Sequence, residues 1–505
     1  MKLGKMLEGL DDYELLGDPD QEVQGLVYDS RKVEPGFMFV ALRGTRLDGH
    51  DFLQSAVQMG AVAVVGESLE KMPDVGTRIL VPDSRRALSK LAANFYQKPF
   101  EAMELIGITG TNGKTTTSYI LESILKVWGA NPGIIGTISY HYSEKIFPAP
   151  VTTPESVDLM RFLREMANAG VTHAITEVSS HALDQKRTID CPFRVAVFTN
   201  FSRDHLDYHK SMEAYFNAKS NLFRCLEKVN PARDPVAVIN LDDPRGEQLI
   251  SLTGVRKLTY GLGTECHVRA DNVSASKQGI KARLITPAGT KMIHSPLLGY
   301  HNIYNILAAA AAAFSLGADQ DAVARGVESL TVVPGRLEIV RNLQGAMVVV
   351  DYAHTPDALL KVLQSLRPLT GARVITVFGC GGDRDKGKRY EMGRVAGQHS
   401  DLVVVTSDNP RSEDPASIIA EIEKGTRDSG SKKVSWPVED SPLARGSYLV
   451  EVDRRKAIRM AISIAENEDI VLIAGKGHED YQIIGNKRVH FDDREEAAMA
   501  LSGGV

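Results

Sequence analysis

A chain of 505 residues exceeds what one hydrophobic core fills, so three domains are expected. Hydrophobic residues at 43% and charged residues at 24% exclude a disordered chain, while a net charge of -5 without any Lys/Arg block argues against a nucleic-acid partner. The four cysteines, Cys191, Cys225, Cys266 and Cys380, are far apart and lack CxxC or nearby His spacing, which excludes a zinc-type pattern and reads as reduced core thiols.

The opening run MKLGKMLEGLDDYELLGDPD meets acids before any long apolar stretch, so no signal peptide is expected and the chain is read as cytoplasmic. Up to residue 100, short β-rich runs (GLVYDS, MFVAL, AVAVVG, RILVPD) alternate with helical stretches such as SRRALSKLAANFYQ, the pattern of a small α/β domain. A strand is predicted over Glu104 to Thr109, leading into GTNGKTTT and a helix through Ile124, with further strands in THAITEV and VAVFTNF. An Ala-rich helix over about 302–315, closed by Gly317, precedes PGRLE at Pro334 to Glu338, where the second boundary is placed. Beyond it MVVVD, RVITVF, LVVVT and IVLIA alternate with helical segments, which predicts a parallel sheet with covering helices. The expected domains are therefore 1–100, 101–335 and 336–505. The most apolar stretch, Ile306 to Phe314, is far short of the roughly 20 apolar residues that cross a bilayer, so no membrane insertion is expected.

Between a strand and a helix, Gly110-Thr111-Asn112-Gly113-Lys114-Thr115 places backbone N–H groups and a helix N-terminus where phosphates bind. Lys114 would reach the terminal phosphates and the Thr115 hydroxyl would face Mg²⁺. Because Ile108 stands where GxxxxGK[ST] has its first glycine, the loop is tighter than usual. The motif indicates a nucleoside triphosphate but no particular reaction.

Three later segments, TEVSSHALDQKR (176–187), TNFSRDHLDYH (199–209) and AYFNAKSNLF (214–223), put acids, histidines or a lysine beside strand ends, where ligands of such sheets sit. Glu177 and His205 are candidates for the Mg²⁺ side of the site, with surface or capping roles as the alternative. By spacing alone Lys219, in an apolar helix of small residues, reads as a snorkelling lysine with its ammonium in solvent.

GTNGKTTT, the TTP of Thr152 to Pro154, EVSSHALDQKR, NFSRDHLDYH, His301-Asn302, PGR, DYAHTPD, GCGGDRDKGKR, DNPR and AGKGHED occur in order along nearly the whole chain. Together they resemble the Mur ligases, and within them the branch that adds 2,6-diaminopimelate. The resemblance implies an α/β protein of three domains: a small N-terminal UDP-binding domain, a central P-loop ATPase-like domain with a mostly parallel sheet, and a C-terminal Rossmann-like domain that takes the amino acid. It implies a monomeric, ADP-forming ligase that uses ATP and Mg²⁺ to join meso-diaminopimelate to the D-glutamyl side-chain carboxylate of UDP-N-acetylmuramoyl-L-alanyl-D-glutamate, in peptidoglycan precursor synthesis.

On this resemblance Tyr28, Ser30, Thr45, Arg46 and Leu47 would meet the uridine end, and Thr152, Thr153, Ser179, Gln185 and Arg187 the muramoyl dipeptide. Val151 departs from the pattern, since some relatives carry Asn there. Gly110 to Thr116, thus Gly110, Thr111, Asn112, Gly113, Lys114, Thr115 and Thr116, would hold ATP with Asn302, Arg336 and Asp351. His354 lies in the same segment as Asp351 and reads equally as a buried hydrogen-bonding residue. Lys219 matches the lysine that the family carbamylates, and with Thr115, Glu177 and His205 it would hold metal. Lys114, Glu177, His205 and Lys219 form the catalytic set.

The segment Asp408-Asn409-Pro410-Arg411 bears on the amino acid: an Arg fork recognises a carboxylate, whereas lysine as substrate would present an ammonium. Arg384, Gly475 and Glu479 match the other groups around the distal centre of diaminopimelate, with Glu479 suited to its ammonium. A capping turn with a solvated Arg is the alternative for DNPR. A P-loop NTPase, a folylpolyglutamate-synthase-like ligase and an ATP-gated binding protein remain competing readings at this point.

Overall fold

A computed structural model describes residues 1–44, 47–74, 76–340, 345–436 and 444–502. Three α/β domains follow one another, each built on its own sheet. The first sheet has five strands in the spatial order Glu14–Leu16, Thr77–Leu80, Ala63–Gly66, Phe37–Val40, Gly25–Val27; all pairs are parallel except that of Glu14–Leu16 with Thr77–Leu80. Four of these strands coincide with the predicted β-rich runs. Glu14–Leu16 was hidden among charged residues, because it borrows its pairing from Thr77–Leu80 and carries little apolar pattern of its own.

The central sheet has eleven strands. Glu104–Thr109 lies in its middle between Val195–Phe198 and His173–Glu177, parallel to both. These strands are covered on both faces, which is why they read as continuous Ile/Val/Ala runs. Antiparallel additions flank the parallel core: Gly279–Thr286 and Gly289–Ser295 at one edge, Ser139–Tyr142 and Lys145–Pro148 at the other. The helix Asn302–Leu316, ended by Gly317 as predicted, buries its whole alanine run Ala308 to Ala313 against the sheet and the helix Lys114–Val127. Methyl-sized side chains let it approach closely at little entropic cost.

The third sheet runs Glu338–Val340, Met347–Asp351, Ile470–Ala474, Val374–Phe378, Leu402–Val405, Ser447–Val450, Lys432–Lys433, with only the first strand antiparallel. The last long strand in sequence therefore inserts between Met347–Asp351 and Val374–Phe378, and the C-terminal ends of Met347–Asp351, Val374–Phe378, Leu402–Val405 and Ile470–Ala474 face one crevice. A two-stranded hairpin, Tyr481–Ile484 with Lys487–His490, closes over that crevice. No helix among the described residues is long and apolar enough to cross a membrane. Cys191, Cys266 and Cys380 are buried, Cys225 is half-buried, and all four are free.

Candidate functional site

The phosphate loop leaves the central strand Glu104–Thr109 and enters the helix Lys114–Val127 through Gly113. Gly110 and Gly113 both have positive φ, and a Cβ at either would collide with Thr199 Oγ1 or Asn305 Oδ1, so only glycine fits. The neighbouring strand end fixes the loop from outside: the Asn112 carbonyl accepts from Thr199 Oγ1 at 2.6 Å and Asn200 Nδ2 at 3.1 Å, and Asn112 N–H donates to Asn200 Oδ1 at 2.9 Å. Thr111 contacts Tyr215 at 3.2 Å, and Thr116 is buried.

Lys114 Nζ donates to the carbonyls of Gly110 (2.9 Å) and Thr111 (3.0 Å). Burial lowers the pKa of this ammonium, Glu177 and Asp204 oppose the shift, and Arg336 adds to it. Lys219 Nζ donates to the same Gly110 oxygen at 2.8 Å, lies 4.6 Å from the centre of the Tyr215 ring, and is 2% exposed. The snorkelling reading of Lys219 is thus wrong. Its helix, Met212–Leu226, points this face at the phosphate loop rather than at water, and burial plus the Lys114 charge drive its pKa well down.

Glu177, at the end of its strand, is fully buried and accepts three hydrogen bonds: Thr115 Oγ1 at 2.9 Å, Thr137 Oγ1 at 2.8 Å and Thr137 N–H at 2.9 Å. Arg336, from the segment between the second and third sheets, donates to Thr115 Oγ1 at 3.2 Å and stacks 4.6 Å above Tyr352. His205 adopts φ +53°, a left-handed conformation that costs energy outside glycine and that often marks functional positions. Its ring packs edge-on to His181 at 4.9 Å, and burial, then the cations Lys219 and Lys114, push it down to about 4 against the pull of Asp204. This shift favours the neutral imidazole, the form that can ligate a metal. Carboxylate, hydroxyl and neutral imidazole make an oxygen-rich donor set that fits a hard divalent cation.

Asn302 opens its helix 3% exposed, its amide bonded to Leu298 O at 2.6 Å and its oxygen accepting from Asn305 at 2.7 Å. Asp351 is held by two backbone N–H groups, of Leu337 (2.8 Å) and Ala353 (2.7 Å), which fixes the linker that carries Arg336. His354 bonds the Tyr352 carbonyl at 2.9 Å, and burial lowers it to about 4.

Next to Glu177 stand the residues matched to the dipeptide. Thr152 Oγ1 is 3.1 Å from Thr137 Oγ1, and Thr153 Oγ1 donates to the Glu177 carbonyl at 2.8 Å and accepts from Ser179 N–H at 3.0 Å. Arg187 donates to Thr153 O at 2.8 Å and to Gln185 Oε1 at 2.6 Å. Glu155 pairs with Arg187 (3.4 Å) and with Arg85 of the first domain (3.2 Å), while Tyr28 donates to Asp158 across the same seam at 3.0 Å. Ser30 begins the turn Ser30–Lys32, next to Tyr28, and Leu47 is exposed. Thr45 and Arg46 lie outside the described residues. Val151 is exposed, and its carbonyl accepts from Tyr140.

In the third domain Asp408, Asn409 and Pro410 are buried, and Arg411 has φ +51°. The hairpin clamps this turn: Arg411 N–H donates to Ile483 O at 3.1 Å and Ile483 N–H to Asn409 Oδ1 at 2.9 Å. Arg411 Nη1 donates to Gly382 O at 2.7 Å, and the side chains of Arg411 and exposed Arg384 flank Gly381. Asn409 Nδ2 donates to Glu479 Oε2 at 3.0 Å, and Gly475 lies against Asp408. Burial raises the Glu479 pKa, and Asp408 reinforces this.

Family models match the chain in three places: Mur ligase family, catalytic domain, at residues 22–96; Mur ligase middle domain at 108–313; and Mur ligase, glutamate ligase domain, at 335–477. The chain belongs to the Mur ligase family. It is 48% identical over 504 residues to the UDP-N-acetylmuramoyl-L-alanyl-D-glutamate--2,6-diaminopimelate ligase of Geobacter sulfurreducens, with 99% of each chain covered. A solved structure of an enzyme with that same name matches at 34% identity and TM-score 0.69, over 100% of this chain and 99% of the other. MurF of Thermotoga maritima, at 20% identity and TM-score 0.64 over 96% of this chain, shares the fold.

Within this Mur ligase several site residues had escaped sequence reading. Thr137, twice a donor to Glu177, sits in an unremarkable GTIS run and carried no signal. Asp357, which accepts from Asn112 (2.9 Å) and Ser202 (2.8 Å) and so joins the third domain to the phosphate loop, and Lys476, buried beside Glu479, both lay inside quoted motifs and could have been singled out there.

Proposed function

We propose that this Mur ligase joins meso-2,6-diaminopimelate to the D-glutamyl side-chain carboxylate of UDP-N-acetylmuramoyl-L-alanyl-D-glutamate, using ATP and releasing ADP and phosphate. The observation that carries this reading is the likeness, end to end, to a ligase of that name at 48% identity. A phosphate loop joined through Thr115 to Glu177 and Arg336 supports it. The first 100 residues would take the uridine end, 101–335 ATP and 336–505 the amino acid. The strands Glu104–Thr109 and Glu338–Val340, which open the second and third sheets, support those boundaries.

A carboxylate is a poor electrophile, so the γ-phosphoryl group of ATP would first convert the D-glutamyl carboxylate into an acyl phosphate. Lys114 would neutralise the terminal phosphates from the loop, and Arg336 would reach them from the third-domain side. Thr153, Ser179, Gln185 and Arg187 would hold the dipeptide beside Glu177. The amine of diaminopimelate would then attack, with Arg411 and Arg384 on its distal carboxylate and Glu479 on its distal ammonium. Contacts such as Asp357 to Asn112 would keep water from the acyl phosphate.

Thr115, Glu177, His205 and Lys219 would hold Mg²⁺, which when bound supplies charge neutralisation for phosphoryl transfer. Lys219 would serve there as a carbamate: its neutral amine attacks CO₂, forming an N–C bond and losing one proton. Its burial beside Lys114 favours that neutral amine. An assay of phosphate release with ATP, Mg²⁺ and the UDP-linked dipeptide, comparing meso-diaminopimelate, L-lysine and no amino acid, tests the reading. Release with diaminopimelate alone is expected; release with lysine in its place would overturn the specificity, and release without any amino acid the ligase itself.

A further inference from the structure

Lys476 lies in the amino-acid crevice with a side chain at 0% exposure. Its Nζ lies 3.3 Å from Glu479 Oε2, 3.4 Å from Asn409 Oδ1 and 3.7 Å from Asp408 Oδ1, and 5.4 Å from the centre of the Tyr481 ring. Its three donors thus meet two residues of the DNPR turn and the acid three positions further along its own loop, where Glu479 N–H also bonds the Lys476 carbonyl at 2.9 Å. Asn409 completes the triangle, donating to Glu479 while accepting from Lys476 and Ile483 N–H.

A buried ammonium persists only where acceptors surround it, and packing alone would favour an apolar side chain in its place. With the reading of the third domain as the amino-acid site taken as given, we infer that Lys476 is a positioning residue that holds the Glu479 carboxylate, directly and through Asn409, ready for the distal ammonium of the incoming amino acid. Asp408, Glu479 and Lys476 together carry one net negative charge, which one substrate ammonium balances. Without Lys476, Asp408 and Glu479 face each other across a half-buried crevice, and Glu479, already driven up by burial, takes a proton and becomes a poor partner for a cation. Among the described residues Tyr352, Tyr481 and Arg454 also face Glu479, and Arg454 is neutralised by Asp493 at 2.7 Å.

The test is steady-state phosphate release by the full chain with ATP, the UDP-linked dipeptide and varied meso-diaminopimelate, between about pH 6 and 7.5, below the range in which the α-amines of the substrate lose their charge. Lys476→Met is expected to raise KM for diaminopimelate about tenfold or more at the acid end, as expected for a lost charge-assisted contact. The defect should shrink as pH rises and Glu479 ionises again, with KM for ATP unmoved. Lys476→Arg is expected to restore part of the affinity, and in a Glu479→Gln background Lys476→Met should add no pH-dependent effect. If Lys476→Met fails to fold by circular dichroism, the Lys476→Arg and Glu479→Gln arms decide. A pH profile of KM in Lys476→Arg equal to that of the starting protein, with a raised and pH-independent KM for diaminopimelate in Glu479→Gln, upholds the inference, and a KM for diaminopimelate left unchanged by Glu479→Gln overturns it. Parallel rises in both KM values, or a pH-independent loss, overturn the inference alone. Absence of diaminopimelate-dependent turnover in the unmutated protein overturns the functional reading and the inference with it.

Discussion

The Nζ atoms of Lys114 and Lys219 donate to one and the same acceptor, the carbonyl oxygen of Gly110, at 2.9 and 2.8 Å. Two ammonium groups so close, both withdrawn from solvent, cannot both hold their protons cheaply, and the deeper one, Lys219, is the one that gives way. Changing Lys219 to Ala is therefore expected to reduce turnover by ~100-fold or more, as loss of a charged group at phosphoryl transfer does. Short carboxylates such as acetate or formate should restore part of the rate by occupying the space of the carbamate. If no carboxylate restores any rate, the anionic role of Lys219 is wrong.

Lys114→Ala should abolish ATP turnover while far-ultraviolet circular dichroism stays unchanged. The side chain bonds only carbonyls of its own loop, so its removal costs little fold. A variant that keeps its phosphate-release rate would remove the phosphate-loop assignment.

For Arg411→Ala the expected change is in KM for diaminopimelate, by roughly 10- to 100-fold from a lost charged hydrogen bond, with KM for ATP within about twofold. Its backbone contacts to Ile483 and Gly485 survive the substitution, so the hairpin stays clamped. Equal changes in the two KM values would argue for a structural role.

Stability should fall on mild acidification. His181, His301 and His354 are each lowered to about 4 and His478 to about 3, all chiefly by burial. Between the unfolded value near 6.5 and these folded values the unfolded chain binds more protons, so stability is full above about pH 6.5 and declines as pH falls towards 4. Urea midpoints measured from pH 7.5 down to 5 should drop steadily; a flat profile over that interval would contradict the burial of these imidazoles.

Arg454 and Asp493 form a pair with no exposure on either side, joined by two 2.7 Å bonds, and Arg454 also donates to Ala474 O at 2.9 Å. Asp493→Asn leaves a buried cation without its counter-charge and should cost about 3–5 kcal/mol. Thermal melting reads this directly. A shift below a degree or two would mean that water reaches the guanidinium in solution.

Much of the architecture was legible in the amino-acid sequence because it rests on local, periodic demands. Strands buried on both faces must be apolar throughout, as Glu104–Thr109, Met347–Asp351 and Ile470–Ala474 are, and a helix that must stop sharply needs a residue such as Gly317. The phosphate loop was legible for the same reason, since Gly110 and Gly113 answer a steric requirement of their own backbone. Short pairing strands such as Glu14–Leu16 were not, for their hydrogen bonds are supplied by a partner far along the chain. What only the tertiary structure decided is which side chains share an environment. Lys219 in an apolar helix was indistinguishable from a solvated lysine until the packing of that helix turned it onto Gly110, and Thr137 gained its meaning only beside Glu177. Lys476 and Asp408, distant in sequence, meet because Ile470–Ala474 inserts beside Met347–Asp351 and brings its following loop over the DNPR turn. Periodicity records whether a residue is buried; the charge or hydrogen-bond partner it meets there depends on where distant segments return, and no local pattern encodes that.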